Sequence, residues 1–107
     1  MAEAAFTAAD LRSMQKSSES ACRLLKSLAN PDRLMLLCQL SQGEMSVGEL
    51  EEALGIRQPT LSQQLTVLRG EDLVATRRDG RQVFYSVKSP AALAVLKVLH
   101  QQFCRRH

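Results

Sequence analysis

The sequence predicts a mainly α-helical protein with a small β-hairpin, of about five helices and two strands, and two patterns indicate this fold class. The first is a pair of short amphipathic helices joined by a tight turn, within residues 46–69. The second is a pair of strand-like segments that flank an Asp-Gly turn directly after those helices. Two helices followed by a hairpin make a winged helix-turn-helix. Because 107 residues with 45% hydrophobic content fill one core, we expect a single domain over residues 1–107.

The first helix of the pair is marked by signals at both of its ends. Ser46-Val47-Gly48-Glu49 fits a capping box, in which the serine hydroxyl accepts from the third helical N–H and the glutamate carboxylate bonds back to the serine N–H. Gly55 stands where a left-handed terminator is expected. Pro59 suits the first turn of the next helix, where its missing N–H removes no helical hydrogen bond.

The second helix, predicted to run through Arg69, combines an apolar stripe with a polar face that is mostly uncharged. The stripe is Leu61, Leu65 and Leu68. Gln, Ser and Thr both donate and accept hydrogen bonds, so they can discriminate base edges in a major groove, although a merely solvated face is the alternative. One or two of these polar residues are expected only to cap the helix. The predicted base and phosphate contacts are Gln58, Thr60, Ser62, Gln63 and Gln64. Arg57 is assigned to a phosphate, and Arg69 to the same DNA-binding surface.

The predicted hairpin joins residues 73–77 to residues 82–87, which are both rich in β-branched and aromatic side chains. Between them lies Arg78-Asp79-Gly80-Arg81, and an Asp-Gly pair in this position favours a tight hairpin turn. Arg77, Arg78 and Arg81 are expected to cluster at its tip. Such arginines can protect an edge strand from aggregation. After a helix-turn-helix, however, a wing that contacts the phosphate backbone or the minor groove is the favoured interpretation.

The distribution of charge supports a nucleic-acid partner, whereas the net charge of +3 is too small to show one. Residues 57–88 carry six Arg or Lys against three acids. Four further acids precede them, at Glu44, Glu49, Glu51 and Glu52. Because the basic charge falls on the predicted recognition helix and wing, double-stranded DNA is the expected partner.

Other classes of function lack their motifs. The sequence has no glycine-rich phosphate loop, no carboxylate pair in a plausible cleft and no Ser/His/Asp arrangement, so we expect neither an enzyme nor a bound cofactor. It shows no apolar segment of membrane-spanning length and no signal peptide, so a cytoplasmic protein without a membrane partner is expected. Residues 1–7 are expected to be a frayed, disordered terminus.

Three further helices complete the predicted domain. The first covers residues 8–29. Asn30 caps the second, which begins at Pro31 and continues to Ser41. Ser89-Pro90 starts the last, whose wide apolar surface is expected to pack against the first helix or against a partner subunit.

From about Ser17 to Cys104 the chain resembles the ArsR/SmtB family of winged-helix bacterial repressors. The resemblance lies in residues 24–34, 46–50, 58–65, 68–69 and 83–85, taken together and in this order. It implies a homodimer built through the first and last helices. It also implies binding to an imperfect inverted repeat near a promoter, which blocks transcription until an inducer arrives.

The chain departs from the metal sensors of that family at both of their usual sites. Thiolate-type sensors carry Cys-x-Cys at the start of the third helix, where this chain has Ser46 and Gly48. Zinc-type sensors carry an Asp/His set in the last helix, which here offers only His100. Because a structural zinc site takes four N, S or O ligands, neither site can be assembled, and we expect no metal at them.

The placement of two cysteines is similar to that of the BigR/SqrR subgroup and of HlyU-type regulators. This likeness implies that Cys38 and Cys104 form a sensing dithiol, linked by a disulfide or a polysulfide when a reactive sulfur species or an oxidant acts as inducer. Inert packing is the alternative for a buried cysteine. Cys22 is interpreted as a small interface or core residue, with a resolving role as the alternative. A second hypothesis is a metal-responsive regulator that uses Cys38, Cys104, His100 and His107.

Overall fold

The computed structural model describes residues 5–104, which form five helices and a three-stranded antiparallel sheet. In chain order the elements are α1 (Ala8–Leu28), α2 (Pro31–Leu40), β1 (Met45–Ser46), α3 (Val47–Leu54), α4 (Thr60–Gly70), β2 (Val74–Asp79), β3 (Gln82–Val87) and α5 (Pro90–Phe103). Helices α3 and α4 form the helix-turn-helix, and β2 and β3 form the wing. The predicted winged helix-turn-helix is therefore confirmed.

Strand β1 is the one element that the sequence analysis missed, so the prediction of two strands is corrected to three. The strand has two residues, Met45 and Ser46, which pair with Tyr85 and Phe84 of β3. Its position in the sheet order β1-β3-β2 joins the wing to the start of α3. Two residues are too few to show the alternating pattern from which a strand is predicted.

The local signals at helix ends place the helices as expected. The Ser46 side chain accepts from the Glu49 N–H at 3.1 Å, and the Ser46 N–H donates to the Glu49 carboxylate at 2.8 Å, which completes the capping box. Gly55 ends α3 in the left-handed conformation, with φ of 69°. Pro59 is the N-cap of α4, one position before the first turn in which it was expected.

The observed ends of α1 and α2 each differ from the predicted end by one residue. Helix α1 ends at Leu28, and Ala29 is its C-cap, while α2 ends at Leu40. Thr7, the last residue of the segment that was expected to fray, caps α1 through a box with Asp10. Residues 1–4 lie outside the part of the chain that the structure describes.

A leucine-rich core lies at the centre of the domain, around α2, which packs against α1, α3 and α4. The largest fully buried side chains are Leu36, Leu37, Leu50, Leu61, Leu65 and Leu68. The predicted inward stripe of α4 is among them. Burying a leucine removes enough apolar surface from water to contribute about 1.5–3 kcal/mol, so this stripe holds α4 firmly on the core.

Helices α1 and α5 leave much of their apolar surface uncovered. In the 21 residues of α1 only Ser27 and Leu28 are buried, and Leu25 is 55% exposed. On α5, Val98 is 53% exposed and Phe103 is 81% exposed. Helix α1 packs on α2. The exposed side chains of α1 and α5 lie outside that contact. Among residues 5–104, no helix has the length and apolar character needed to cross a bilayer.

Candidate nucleic-acid interface and thiol pair

Helix α4 presents a polar face opposite its leucine stripe. Thr60, Ser62 and Gln63 are exposed on it, as are Arg57 before the helix and Arg69 in its last turn. Each can therefore reach a partner without disturbing the core. Gln63 lies in the second turn of the helix, and within residues 5–104 its side chain makes no hydrogen bond.

Gln58 and Ser62 have a capping role at the start of α4. The Gln58 Oε1 accepts from the Ser62 N–H at 3.1 Å and from the Ser62 hydroxyl at 2.6 Å. Pro59 has no side chain that can cap the helix, so Gln58 supplies the acceptor that the first turn needs. The sequence analysis expected one or two of the polar residues to act in this way. The hydroxyl of Ser62 is used within the helix, which leaves Thr60 and Gln63 as the freer side chains.

Gln64 does not lie on the outward face, and the orientation assigned to it from sequence is wrong. Its side chain is half-buried, and its Oε1 accepts from the Arg33 Nη1 at 2.9 Å. The physical reason is helical spacing, because Gln64 follows Leu61 by three residues and precedes Leu68 by four. It therefore lies along the core stripe and faces α2.

The Asp-Gly pair predicts the hairpin correctly, but the loop begins one residue later than the pair. Asp79 pairs with Gln82, which leaves Gly80 and Arg81 as a two-residue loop, and Gly80 has φ of 64°. Glycine accepts this left-handed conformation without the steric cost that other residues meet. Arg78, on β2, and Arg81 are exposed near the tip. Among the described residues, neither has an acidic side chain within 4.0 Å.

Arg77 differs from the other two wing arginines because it already has a partner. Its Nη2 donates to the Glu44 carboxylate at 2.7 Å, and its Nε lies 3.0 Å from the second carboxylate oxygen. Its guanidinium also lies over the Phe84 ring, 4.7 Å from the ring centroid. The hydrogen bond lowers the pKa of Glu44 and raises the pKa of Arg77, so both remain charged. Arg77 is thus held by Glu44 and Phe84 in the middle of β2, before the tip at which Arg78 and Arg81 lie.

Two of the three cysteines lie on different helices and are electrostatically coupled. Cys38 is half-buried on α2 against the leucine core, and Cys104 is exposed at the end of α5. Burial raises the pKa of the Cys38 thiol, and the negative charge of a Cys104 thiolate raises it further. This second contribution is the repulsion between two thiolate charges, which weakens as the distance between the sulfur atoms grows. Cys22 is exposed on α1, and all three cysteines are free thiols.

Within residues 5–104, no group of three or more His, Cys, Asp or Glu residues is arranged to hold a metal ion. Ser46, at one of the two family metal positions, is occupied by the capping box. His100 is exposed on α5. His107, which the metal hypothesis also uses, lies outside the described residues.

Sequence analysis missed two residues that connect elements of this interface, Arg33 and Glu44. The Arg33 guanidinium donates to the backbone oxygens of Ser27 and Lys26 as well as to Gln64. The position of Arg33 in the first turn of α2 could have indicated such a role. The helix dipole disfavours a cation there, so the cation needs a compensating partner. For Glu44, in the turn after α2, the sequence contains no comparable signal.

The fold and the exposed polar face of α4 define a DNA-binding regulator of the winged helix-turn-helix class. Residues 30–76 match the model of the bacterial regulatory proteins of the arsR family. Over 94 residues the chain is 52% identical to the biofilm growth-associated repressor of Agrobacterium fabrum, and the match covers 88% of this chain and 80% of that protein.

Two solved structures are similar to this one. The transcriptional repressor BigR from Xylella fastidiosa has a TM-score of 0.85 at 47% identity, covering 89% of this chain and 97% of that one. Reduced HlyU from Vibrio cholerae has a TM-score of 0.82 at 42% identity, covering 88% and 99%. The chain belongs to the arsR family of bacterial regulatory proteins. It is therefore a DNA-binding transcriptional regulator of this family and not an enzyme.

Proposed function

We propose that this regulator is a homodimer that represses transcription from an imperfect inverted repeat and leaves the DNA when Cys38 and Cys104 become linked. The thiol part is supported by the electrostatic coupling of the two cysteines, since a Cys104 thiolate raises the pKa of Cys38. The two residues lie on different helices, α2 and α5. A covalent link between them would therefore constrain two elements whose relative position sets the shape of the dimer.

The DNA-binding part is supported by the exposed polar face of α4 and by the free arginines of the wing. In a helix-turn-helix the N-terminal residues of the recognition helix meet base edges in the major groove. Thr60 and Gln63 have the exposure and the hydrogen-bonding groups for this role. Arg78 and Arg81 are placed to neutralise phosphates, which supplies affinity without sequence information. Arg57 and Arg69 extend the basic surface at the two ends of α4.

The homodimer is supported by the uncovered apolar side chains of α1 and α5. Leu11, Met14 and Leu25 on α1 and Leu93, Val98 and Phe103 on α5 are exposed in the single chain. Exposed apolar surface of this extent marks an interaction site. A second copy with twofold symmetry would cover the same patch on each subunit and present two copies of α4 to the two halves of an inverted repeat.

The exposed Cys104 is the thiol that meets the inducer first, because Cys38 is half-buried and keeps its proton. With hydrogen peroxide, the Cys104 thiolate attacks one oxygen and releases hydroxide, which leaves a sulfenic acid. The Cys38 thiolate then attacks that sulfur and displaces a second hydroxide. In total, two thiols and one peroxide give one disulfide and two waters.

A low-molecular-weight persulfide can oxidise the same pair. One persulfide converts two thiols into a disulfide, and its two sulfurs leave as the parent thiol and hydrogen sulfide. Two persulfides instead give a trisulfide, two parent thiols and one hydrogen sulfide, with one sulfur atom retained between Cys38 and Cys104. The two products differ in mass by that sulfur atom, so they can be distinguished directly.

The test is mass spectrometry of the reduced protein after treatment with glutathione persulfide, hydrogen peroxide or zinc, combined with DNA-binding titrations of the same samples. We expect a Cys38–Cys104 link after the first two treatments and loss of DNA binding with it. Cys38→Ser and Cys104→Ser should each bind DNA when reduced and should not be released. Cys22→Ser is the matched control and should respond as the wild type does.

Two outcomes would contradict the proposal. Release of a Cys38→Ser, Cys104→Ser double variant by persulfide or peroxide would remove the dithiol as the sensor. Release by zinc, with metal retained in the native mass spectrum and both thiols unmodified, would favour the metal-responsive alternative.

A further inference from the structure

Arg33 joins α1 to α4 through a single guanidinium group. Its Nε donates to the Ser27 backbone oxygen at 2.7 Å, and its Nη2 donates to the Lys26 backbone oxygen at 3.1 Å. Its Nη1 donates to the Gln64 side-chain oxygen at 2.9 Å. The first two acceptors belong to the last turn of α1, and the third belongs to the recognition helix.

The electrostatics of two helix ends account for this arrangement. Arg33 lies in the first turn of α2, where the helix dipole disfavours a positive charge. The last carbonyl groups of α1 lack the N–H partner four residues on that the helix interior supplies, although the Lys26 oxygen also accepts from the Ala29 N–H at 3.3 Å. The negative end of the α1 dipole also attracts a cation. The guanidinium of Arg33 therefore turns back to α1 and satisfies two of its carbonyl oxygens.

In the hydrogen bond between Arg33 and Gln64, the donor can only be Arg33. A guanidinium only donates, so the Gln64 amide must present its oxygen, and its orientation is determined by Arg33. The planar fork of arginine also constrains the directions of all three bonds at once. The leucine core that lies beside it is held by contacts that have no preferred direction. Arg33 is thus the directional contact between the end of α1 and the middle of α4.

We infer that Arg33, acting through Gln64, is a positioning residue that sets where α4 stands relative to α1, and therefore which half-site separation the dimer accepts. The inference rests on the proposed homodimer, in which α1 lies at the subunit interface and α4 contacts the bases. A dimeric helix-turn-helix protein matches the separation of its two recognition helices to that of its half-sites. If the directional contact is removed, α4 can shift on the core, and the dimer should tolerate other separations.

The experiment measures the ratio of affinities for two DNA duplexes within each variant. The wild-type protein first selects an inverted repeat from a random double-stranded library. That repeat is then made at its selected spacing and with one base pair inserted between its halves. We expect the wild type to lose roughly tenfold or more in affinity on the altered spacing.

Two variants should relax this discrimination to about threefold or less, because both remove the hydrogen bond between Arg33 and Gln64 through which Arg33 connects α1 to α4. Arg33→Gln removes the planar donor, and Gln64→Leu removes the acceptor while keeping an apolar side chain on the core face. Arg33→Lys should not restore the wild-type ratio, since an ammonium cannot reproduce the three directed bonds. Arg12→Gln is the matched control, because Arg12 is exposed on α1 and, among the described residues, has no ion pair that joins α1 to α4.

A general loss of affinity or stability cancels in the ratio, so a structural role alone would leave the discrimination at its wild-type value. Wild-type ratios in both Arg33→Gln and Gln64→Leu would overturn the inference. If Arg33→Gln fails to fold, Gln64→Leu carries the test. If the wild-type protein selects no inverted repeat, the proposed function fails, and this inference fails with it for that separate reason.

Discussion

Cys38 and Cys104 share one proposed reaction but lie in different surroundings. Cys38 is half-buried against leucines, and its pKa is raised by burial and by the charge of its neighbour. Cys104 is exposed at the C-terminal end of α5. Since only a thiolate attacks sulfur or oxygen, the ionisation of Cys38 should limit the second step of the reaction.

The first prediction is a pH dependence of that second step. Burial keeps the pKa of Cys38 raised in this step, in which Cys104 is no longer a thiolate, so the Cys38 thiolate fraction should continue to increase above the ordinary thiol pKa of about 8.5. The rate at which a Cys104 sulfenic acid becomes the disulfide should increase over the same range. Rapid acid quenching followed by mass spectrometry measures it, and Cys38→Ser isolates the first step. A rate of disulfide closure that is level above pH 8 would contradict this prediction.

The second prediction separates base contacts from phosphate contacts. Gln63→Ala should weaken binding to the selected inverted repeat by about 1–3 kcal/mol and leave binding to random DNA unchanged. Arg78→Ala should weaken both and reduce the slope of log affinity against log salt by roughly one. Fluorescence anisotropy at several salt concentrations measures these effects. Equal losses on both DNAs for Gln63→Ala would remove its role in base recognition.

At the scale of elements, the accuracy of the sequence predictions follows the range of the interactions involved. The Ser46 capping box and the Gly55 terminator depend on neighbours within four residues, and the structure has both. Strand β1 exists only because β3 lies beside it, and its partners are about forty residues away in the chain. Gln64 was assigned to the outward face, although its three- and four-residue spacing from Leu61 and Leu68 places it beside the leucine stripe.

In the wing, too, one side chain has a partner that is too distant in the chain to be predicted from local sequence. The sequence predicted its turn and its arginines, but the ion pair that holds Arg77 joins residues 33 positions apart. Its partner Glu44 lies in a turn that has no motif of its own. Such a pairing is determined by tertiary structure and is invisible to local patterns. Arg77 remains a predicted DNA contact, although it must leave Glu44 to reach a phosphate.

The third prediction tests that competition. Glu44→Gln should free Arg77 and increase affinity for DNA up to about fivefold, because an exposed ion pair contributes little and competes only weakly with a phosphate. Glu52→Gln makes the same change of charge at an exposed site on α3 and is the control. Titrations at several salt concentrations should show a steeper slope for Glu44→Gln than for the control. Equal slopes would indicate that Arg77 does not contact phosphates.

At the scale of the molecule, one chain does not cover its own apolar surface. The principal extents of 54 × 37 × 21 Å describe an elongated body, with α1 extending beyond the core. A small domain gains stability when such surface is buried in an oligomer. The uncovered side chains of α1 and α5 thus determine how stable the folded chain is as well as what it binds.

The fourth prediction concerns this surface. Val98→Glu should shift the protein from dimer to monomer, because a carboxylate in an apolar interface loses hydration without gaining a partner. Gln101→Glu places the same charge at another exposed position of α5 and should remain dimeric. Sedimentation velocity distinguishes the two states. A Val98→Glu variant that sediments as the wild type does would place the interface elsewhere.

Strand β1 also affects the entropy of DNA binding. Ser46 pairs with Phe84 of the wing and at the same time caps α3, so one residue belongs to both DNA-contacting units. The helix-turn-helix and the wing are therefore ordered relative to each other when the chain folds, and little further ordering is needed when the DNA arrives. In the proposed dimer each subunit would therefore meet the duplex as one preorganised body. Regulation of the proposed dimer then needs only to reorient its two subunits, because neither subunit has to unfold.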